Sequence, residues 1–339
     1  MIKYWTPSEL KTLRRLREGF LSGTAGNANY WRAVEDLALY DTTFAERIGW
    51  KWDGALRELT LRQWSPKSRH ILDWGCGTGI ASRRVLEWWP DQFRSLSLHD
   101  RSSAAMRFAA ERAHRENPKL TVRMGEQMEP DTLLVLSHVI NELPSRDLSR
   151  LMERAREATE IIWVEAGARD ESRRLSEVRD RLLGDARGFV AVAPCTHQAR
   201  CGMLTAKNEQ HWCHHFAHPP SEIFQSASWH QFSLELGIDL RSLPYSFLVL
   251  QKSDELAPTA PDFSRVIGKP REFKGHDKVL SCHEGGVTEL MLQKRDAPEL
   301  MKALRKGPAA PVYRWTLEGG KIVGAEEIGG AMDSTSLPE

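Results

Sequence analysis

The cysteines of this chain are concentrated in one short segment, and a cysteine thiolate binds metals or acts as a nucleophile. Three of the five cysteines and four of the twelve histidines lie within residues 193–216. An odd number of cysteines fits a disulfide framework poorly, and thiols in a reducing compartment favour metal binding or catalysis. The segment therefore favours a metal or cluster site over a set of disulfides.

Four cysteines are candidate ligands once Cys76, which lies in a different motif, is set aside: Cys195, Cys201, Cys213 and Cys282. Five, eleven and sixty-eight residues separate them, whereas a structural zinc site usually begins with ligands about two to four residues apart. A cluster bound by four thiolates tolerates wider spacing. The spacing leaves zinc and an iron–sulfur cluster open, and a histidine can replace a thiolate in either. The candidate histidines are His197, His211, His214 and His215.

A second motif, "LDWGCGTG" at residues 72–79, follows a short apolar run. Glycine lets the backbone turn tightly and approach a ligand where a Cβ would collide. A dinucleotide-binding loop would need glycine at position 80, where Ile80 stands. The pattern, with an acid two residues earlier, resembles motif one of class I S-adenosylmethionine-dependent methyltransferases. The resemblance implies that the loop holds the amino-acid part of the cofactor and that Asp100, at the end of the second strand, binds its ribose hydroxyls.

Eight residues form the predicted cofactor-binding set, with Cys76 interpreted as a small packing residue within it. They are Asp73, Gly75, Cys76, Gly77, Gly79, Asp100, Glu126 and Ser137.

The loop after the fourth predicted strand is the usual place for a catalytic motif, and here it is "SHVINELP" at residues 137–144. It contains neither a Pro-Pro-aromatic clamp nor a cysteine, which excludes covalent base methylation by a cysteine of this loop. His138, Asn141 and Glu142 are its polar residues. His138 or Glu142 is a candidate general base, but a capping or supporting role is equally compatible. No catalytic residue is assigned.

The elements that must position these residues alternate between strand and helix, which predicts an α/β fold with a parallel, doubly wound sheet. After the strand that precedes the glycine loop, strands are predicted at 95–100, 120–126, 160–167, 188–195 and 245–252, and residues 132–144 are predicted to be a strand that runs into a loop. Residues 1–64 are predicted to be helical, with Ser8 capping a first helix. One face of that helix carries Leu10, Leu13, Leu16 and Leu21.

Four regions are predicted. They are N-terminal helices at 1–64, a Rossmann-like methyltransferase domain at 65–252 with a cysteine-rich insertion at 193–220, a small β appendage at 253–328 that begins with a linker at 253–262, and a flexible tail at 329–339.

Composition describes a globular protein rather than a membrane protein or a polycation. The 339 residues are 41% hydrophobic and 27% charged, with a net charge of +1. No apolar run approaches the roughly 20 residues of a membrane span, and the first residues lack a secretory signal, so we expect a cytoplasmic protein.

Because the net charge is near zero, nucleic-acid binding would need a local basic patch, and the candidate is residues 265–278. Its basic residues are Arg265, Lys269, Arg271, Lys274 and Lys278. From charge alone, a solvated loop is favoured over a nucleic-acid-binding surface for this segment.

The cysteine motifs "APCTHQARC" and "HWCHHF", with "PYSFLVLQK", "GHDKVLSCHEGG" and "SHVINELP", carry a second resemblance over roughly residues 30–295. The chain resembles the mitochondrial small-ribosomal-subunit methyltransferase-like proteins and is interpreted as a bacterial member. That family has a class I methyltransferase fold, binds a 4Fe-4S cluster through four cysteines and acts in small-subunit assembly. The resemblance therefore implies that Cys195, Cys201, Cys213 and Cys282 hold the cluster. Thr196 and Gly202 stand where the family usually has proline, and residues 296–339 match poorly.

Three functions follow as hypotheses. The first is an rRNA-binding factor of small-subunit assembly that binds S-adenosylmethionine and a 4Fe-4S cluster. The second is an active methyltransferase that acts on rRNA or another substrate. The third is a protein-binding module held together by zinc. For the first, we expect a monomer whose partner is the small ribosomal subunit and its rRNA, with no membrane involved.

Overall fold

The computed structural model describes residues 4–23, 30–185, 188–253, 262–307 and 312–327. Most of the predicted linker and all of the predicted tail lie outside these residues. The chain divides into two compact units. The first is Met1–Gly54, Lys67–Thr159 and Ala217–Leu243, and the second is Ala55–Pro66, Glu160–Phe216 and Pro244–Glu339.

The α-helices, in chain order, are α1 Pro7–Leu21, α2 Val34–Tyr40, α3 Glu46–Leu61, α4 Ile80–Trp88, α5 Ser103–Glu116, α6 Ser145–Glu157, α7 Arg169–Leu183, α8 Ala227–Leu236 and α9 Pro298–Lys306. The strands are β1 His70–Trp74, β2 Ser95–His99, β3 Thr121–Met124, β4 Thr132–Ser137, β5 Glu160–Ala166, β6 Phe189–Ala193, β7 His215–Ala217, β8 Leu243–Lys252, β9 Ser264–Phe273, β10 His276–His283, β11 Gly286–Gln293, β12 Val312–Glu318 and β13 Lys321–Glu327. Among the described residues, no helix combines the length and the apolar character needed to cross a membrane.

The observed N-cap of the first helix lies two residues before the predicted one. Thr6 is the N-cap: its hydroxyl accepts the Glu9 N–H, while the Glu9 side chain accepts the Thr6 N–H. The prediction of Ser8 was wrong, because this reciprocal pair together with Pro7 at the first helical position outweighs a lone serine. The helix buries Leu10, Leu13 and Leu16 as predicted, but it leaves Leu21 at its end exposed.

Four parallel strands form the sheet of the first unit, in the order β3-β2-β1-β4. β1 and β4 are largely buried and apolar, as expected of strands covered on both faces. The chain leaves β1 toward β2 on one side, whereas β4 lies on the other side. The strand order therefore reverses between β1 and β4, and ligands bind at such a reversal, outside the carboxyl ends of the strands.

In the second unit, β8 lies between β5 and β6 and runs antiparallel to both. A wholly parallel sheet was expected, and for β8 that expectation was wrong. The segment between β6 and β8 contains the cysteine-rich insertion, β7 and α8, and its length does not restrict β8 to the parallel direction. The α/β, Rossmann-like fold class itself is confirmed.

The C-terminal strands of the second unit form a closed barrel in the order β10-β11-β13-β12-β9. β11 and β13 are parallel, and the other pairs are antiparallel. The barrel core includes Met301 and Leu304 of α9, a helix that the sequence analysis did not predict. Strands β9 to β13 lie within residues 253–328, where the sequence analysis predicted a small β appendage.

Candidate functional site

The glycine loop turns sharply between β1 and α4. Gly75, Gly77 and Gly79 have φ angles of 77°, 51° and 78°, which lie in the left-handed region that favours glycine. A Cβ on Gly75 would stand 2.5 Å from Cγ1 of Val139. The N–H groups of Gly75 and Cys76 donate to the carbonyl of His99 at 2.7 and 3.0 Å. The loop is therefore fixed against the end of β2.

Asp100, directly after β2, reaches back to the same loop. One carboxylate oxygen accepts the Gly77 N–H at 2.9 Å, and the other accepts the Ser102 N–H at 2.8 Å. A carboxylate has about four lone-pair sites, so two remain for other donors. The geometry suits the binding of two adjacent hydroxyls.

A cavity of about 860 Å³ opens beside this loop, a volume within the range of small-molecule sites. It brings together six of the eight predicted residues: Gly75, Cys76, Gly77, Asp100, Glu126 and Ser137. Gly79 and Asp73 are not among the lining residues. Asp73 is fully buried, and one of its oxygens accepts the Ser82 N–H at 3.3 Å. Burial raises the pKa of Asp73 to about 6.

Glu126 and Ser137 are held by indole groups. Oε1 of Glu126 accepts the Trp74 indole N–H at 3.0 Å and lies 2.9 Å from Nε2 of His99. The Ser137 hydroxyl accepts the indole N–H of Trp52 at 2.9 Å. Both polar side chains therefore have defined orientations at the cavity wall.

Two of the three polar residues of the loop after β4 line the cavity, namely His138 and Glu142. Burial holds the pKa of His138 well below its ordinary value, and its Nε2 is a buried atom with no hydrogen-bond partner among the described residues. The imidazole is therefore neutral, and its free ring nitrogen is available for a hydrogen bond. Burial raises the pKa of Glu142, whereas Arg101, 3.0 Å away, lowers it.

Aromatic side chains from the N-terminal segments form another part of the wall, and the sequence analysis did not assign them to the site. They are Phe20, Tyr30, Trp31 and Tyr40. Burial raises the pKa values of Tyr30 and Tyr40, so both phenols stay neutral. The available signal was the density of aromatic residues between positions 30 and 50.

The four candidate cysteine ligands lie together in the second unit as free thiols. Cys201, Cys213 and Cys282 pack against one small apolar cluster formed by Met203, Ile267 and Val287. Burial raises the pKa of Cys213 well above its ordinary value, and the other three thiols raise it further. Cys195 therefore belongs to the same group.

The surroundings of the thiols suit the negative charge that bound thiolates carry. Arg265 lowers the pKa values of Cys213 and Cys282, against the effect of burial. Nε2 of His197 lies 3.6 Å from Sγ of Cys282. Four thiols with a nearby guanidinium fit an iron–sulfur cluster. Hydrogen bonds and charges around the sulfurs of such a cluster set its reduction potential. Among the described residues, no group of three or more His, Cys, Asp or Glu side chains is arranged to hold a single metal ion.

Helix α7 positions the loop that carries Cys201. The Arg179 guanidinium donates to the carbonyls of His197 and Ala199 at 3.0 and 2.7 Å. Both oxygens of Asp180 accept the Cys201 N–H at 3.0 Å. The sequence analysis did not assign either residue, because their partners are contacts across the fold.

Comparison with known protein families identifies the chain. The profile of a family described as mitochondrial small ribosomal subunit Rsm22 matches residues 54–309, about three quarters of the sequence. The chain belongs to this family. The matched segment includes the glycine loop, Asp100 and the four clustered cysteines, and the expected family resemblance is confirmed. No curated protein sequence matches the chain.

Several solved structures are distantly similar to this Rsm22-family chain. A putative RNA methyltransferase from Pyrococcus horikoshii is 14% identical, with 58% of this chain and 82% of that chain covered and a TM-score of 0.37. An rRNA methylase from Escherichia coli is 13% identical, with coverages of 74% and 78% and a TM-score of 0.37. An O-methyltransferase of neocarzinostatin biosynthesis, solved with S-adenosylmethionine, is 14% identical, with coverages of 73% and 69% and a TM-score of 0.40.

One predicted surface residue of this family member lies in its interior. Arg265 is 2% exposed and is bound to Glu58, which also pairs with Arg62 at 2.8 Å. The prediction that Arg265 acts with the other basic residues of 265–278 was wrong, because a charged side chain with a buried partner is held away from solvent. Lys269, Arg271 and Lys274 of that segment are exposed.

Proposed function

We propose that the chain is a small-ribosomal-subunit assembly factor that binds rRNA, S-adenosylmethionine and a 4Fe-4S cluster. The observation that carries the ribosomal partner is the family match over residues 54–309. The partner named by the family is a ribonucleoprotein, so contact with rRNA is the simplest form of the association.

The cavity beside the glycine loop supports the cofactor. Its lining includes the carboxylates of Asp100, Glu126 and Glu142, and S-adenosylmethionine carries a sulfonium cation. Asp100 has two acceptor sites left for ribose hydroxyls, and the glycines leave room for close approach of the amino-acid part. Aromatic side chains at the wall offer faces for the adenine ring.

Cys195, Cys201, Cys213 and Cys282 are the proposed ligands of the 4Fe-4S cluster. A bound cluster would supply folding energy, since metal-binding free energy is folding free energy in such sites. Zinc is the alternative occupant. Ligation would join the segment that contains Cys195, Cys201 and Cys213 to strand β10, which contains Cys282.

Sedimentation of ribosomal particles tests the partner. Tagged protein in a cell lysate should migrate with small-subunit precursors on a sucrose gradient and should leave them at high salt, because phosphate contacts weaken as counterions compete. A chain that stays at the top of the gradient at low salt contradicts the proposal.

An active methyltransferase is the second candidate. It is favoured by His138 and Glu142, two candidate bases that line the same cavity. Incubation with labelled methyl donor and small-subunit rRNA decides between the two functions. Label in the rRNA that is lost in the His138→Ala and Glu142→Gln variants favours the enzyme, whereas donor binding without transfer favours the assembly factor.

A further inference from the structure

The C-terminal barrel has the topology of an oligonucleotide-binding barrel. It has five strands closed in the order β10-β11-β13-β12-β9, with α9 between the third and the fourth strand. In barrels of this kind, the face of the second and third strands binds oligonucleotides, together with the loops between strands one and two and strands four and five. Here these are the face of β10 and β11 and the turns at 274–275 and 319–320.

A row of basic residues crosses that face. Arg271 lies opposite Lys278, and Lys278 lies opposite Met291. Met291 in turn lies opposite Lys321 of β13. Residues directly opposite each other on paired strands share one face of a sheet. Three cationic side chains are therefore aligned across four strands, although they are fifty residues apart in the sequence.

A row of ring-bearing residues lies two positions further along the same strands. Phe273 is opposite His276, and His276 is opposite Gln293. Since side chains alternate along a strand, this row shares its face with the basic row. The rings of Phe273 and His276 are stacked, with centroids 5.0 Å apart and planes 5° apart, and Phe273 is 46% exposed. Nζ of Lys278 lies 5.7 Å from the centroid of the Phe273 ring.

The other end of this face is covered. Leu280 and Cys282 pack against the apolar cluster that contains Met203. The two rows therefore lie at the open end of the face, where two carboxylates compete for the cations: Glu289, and Glu318, which lies opposite Lys321 on β12. Glu289 is ion-paired with Arg271 and, at 2.8 Å, with Lys278.

We propose that these two rows bind single-stranded RNA, an inference that rests on the proposed function for the presence of RNA. Unpaired bases stack on the ring pair formed by the exposed Phe273 and the half-buried His276, and phosphates contact Arg271, Lys278 and Lys321. Stacking accepts every base, whereas a duplex keeps its bases inside and offers phosphates alone. The rows therefore select single-stranded over double-stranded RNA.

Fluorescence anisotropy with the full chain tests the inference. The probes are an unstructured RNA of about twelve nucleotides, within the site sizes of such barrels, and a blunt duplex of the same sequence. The Phe273→Ala, His276→Ala double variant should bind the single strand at least about fivefold more weakly and the duplex almost unchanged, since stacking on an aromatic ring contributes about 1–3 kcal/mol per base. The matched control is Phe224→Ala, which removes a phenylalanine that is 53% exposed in the first unit and should change neither affinity.

A second variant strengthens binding, a result that misfolding cannot produce. Glu289→Gln frees the two cations that Glu289 pairs with, so affinity for the single strand should rise by up to about fivefold.

Three outcomes overturn the inference. Equal binding of the single strand by the wild type and the double variant overturns it but leaves the proposed function intact if the wild type migrates with small-subunit particles. A preference of the wild type for duplex RNA also overturns it. Failure of the wild type to bind either RNA overturns both this inference and the rRNA contact in the proposed function.

Discussion

Asp100 connects the glycine loop to the end of β2 through one carboxylate, which accepts two backbone N–H groups and retains two acceptor sites. Replacing Asp100 with Asn removes the charge and one acceptor. We expect S-adenosylmethionine to bind more weakly by about 1–3 kcal/mol, because charge-assisted hydrogen bonds are lost. Titration calorimetry measures the change. The matched control is Asp91→Asn, an exposed carboxylate in the turn after α4. Equal affinity of wild type and Asp100→Asn would remove Asp100 from the cofactor site.

Asp73, beneath the same loop, makes stability depend on pH. Burial raises its pKa from 3.8 to about 6, Asp100 raises it further, and Ser82 and Arg83 act in the opposite direction. Since the folded state binds the proton more tightly, the contribution of Asp73 to stability is complete below pH 4 and is lost as the pH rises through about 6. An Asp73→Asn variant has no such loss. The stability of wild type relative to the variant should therefore fall by about 3 kcal/mol between pH 4 and pH 8. Urea unfolding of both proteins across this range measures it, and parallel curves would contradict the assignment.

At the scale of an element, the glycine loop contains two glycines that differ in their surroundings. A Cβ on Gly75 meets Val139 at 2.5 Å, whereas a Cβ on Gly77 has no atom within 4 Å. Gly77→Ala should cost only the backbone strain, about 1–2 kcal/mol. Gly75→Ala should cost more and should also displace the loop, so cofactor affinity falls further. Unfolding and calorimetry on the pair compare them, and equal effects would contradict the close packing at Gly75.

A buried ion cluster joins Glu58 of helix α3 to Arg62 and to Arg265 of strand β9. Burial alone would raise the pKa of Glu58, but Arg265 and Arg62 hold it below its ordinary value. Arg62 also donates to the carbonyls of Val192, Pro194 and Cys195 at 2.7–3.1 Å. Removing one partner leaves an uncompensated buried charge, so Glu58→Gln should lower the free energy of unfolding by about 3–5 kcal/mol.

Chemical denaturation tests this value against Glu299→Gln, an exposed member of a helical ion pair with an 88% exposed side chain. The control should change stability by less than about 0.5 kcal/mol. A loss below about 1 kcal/mol for Glu58→Gln would mean that the cluster is not a stabilising contact.

The elements also show what can be predicted from a sequence. The glycine loop, Asp100 and the parallel strands were predictable because their evidence is local: an apolar run, a turn and an acid at a set distance. The antiparallel direction of β8 and the burial of Arg265 depend on partners far away in the sequence. Helix α9 was missed although Pro298, at its first turn, is a common helix start. The two rows on the barrel face require strand registers, which composition does not contain.

At the scale of the whole molecule, the proposed cluster joins residues far apart in the sequence. Sixty-eight residues separate Cys282 from Cys213, the preceding ligand. Protein purified without oxygen should contain about four irons per chain and absorb broadly in the visible range. Cys282→Ser should lose iron and unfold at a lower temperature, because the cluster contributes folding energy. Cys76→Ala, which replaces the one cysteine outside the set, should keep its iron. Stoichiometric zinc in place of iron would favour the zinc alternative.

The closure of the barrel has a consequence for the rate at which the chain folds. Val312 lies opposite Arg265, so β9 finds its second neighbour forty-seven positions later (312 − 265). We expect the local hairpin of β10 and β11 to form first, because pairing over the longer separation requires a long loop to close. Until β12 arrives, β9 exposes unpaired main-chain groups, a template on which another chain can pair. We therefore expect the pairing of β12 with β9 to close the barrel and, in the same step, to remove the free strand edge on which another chain could pair.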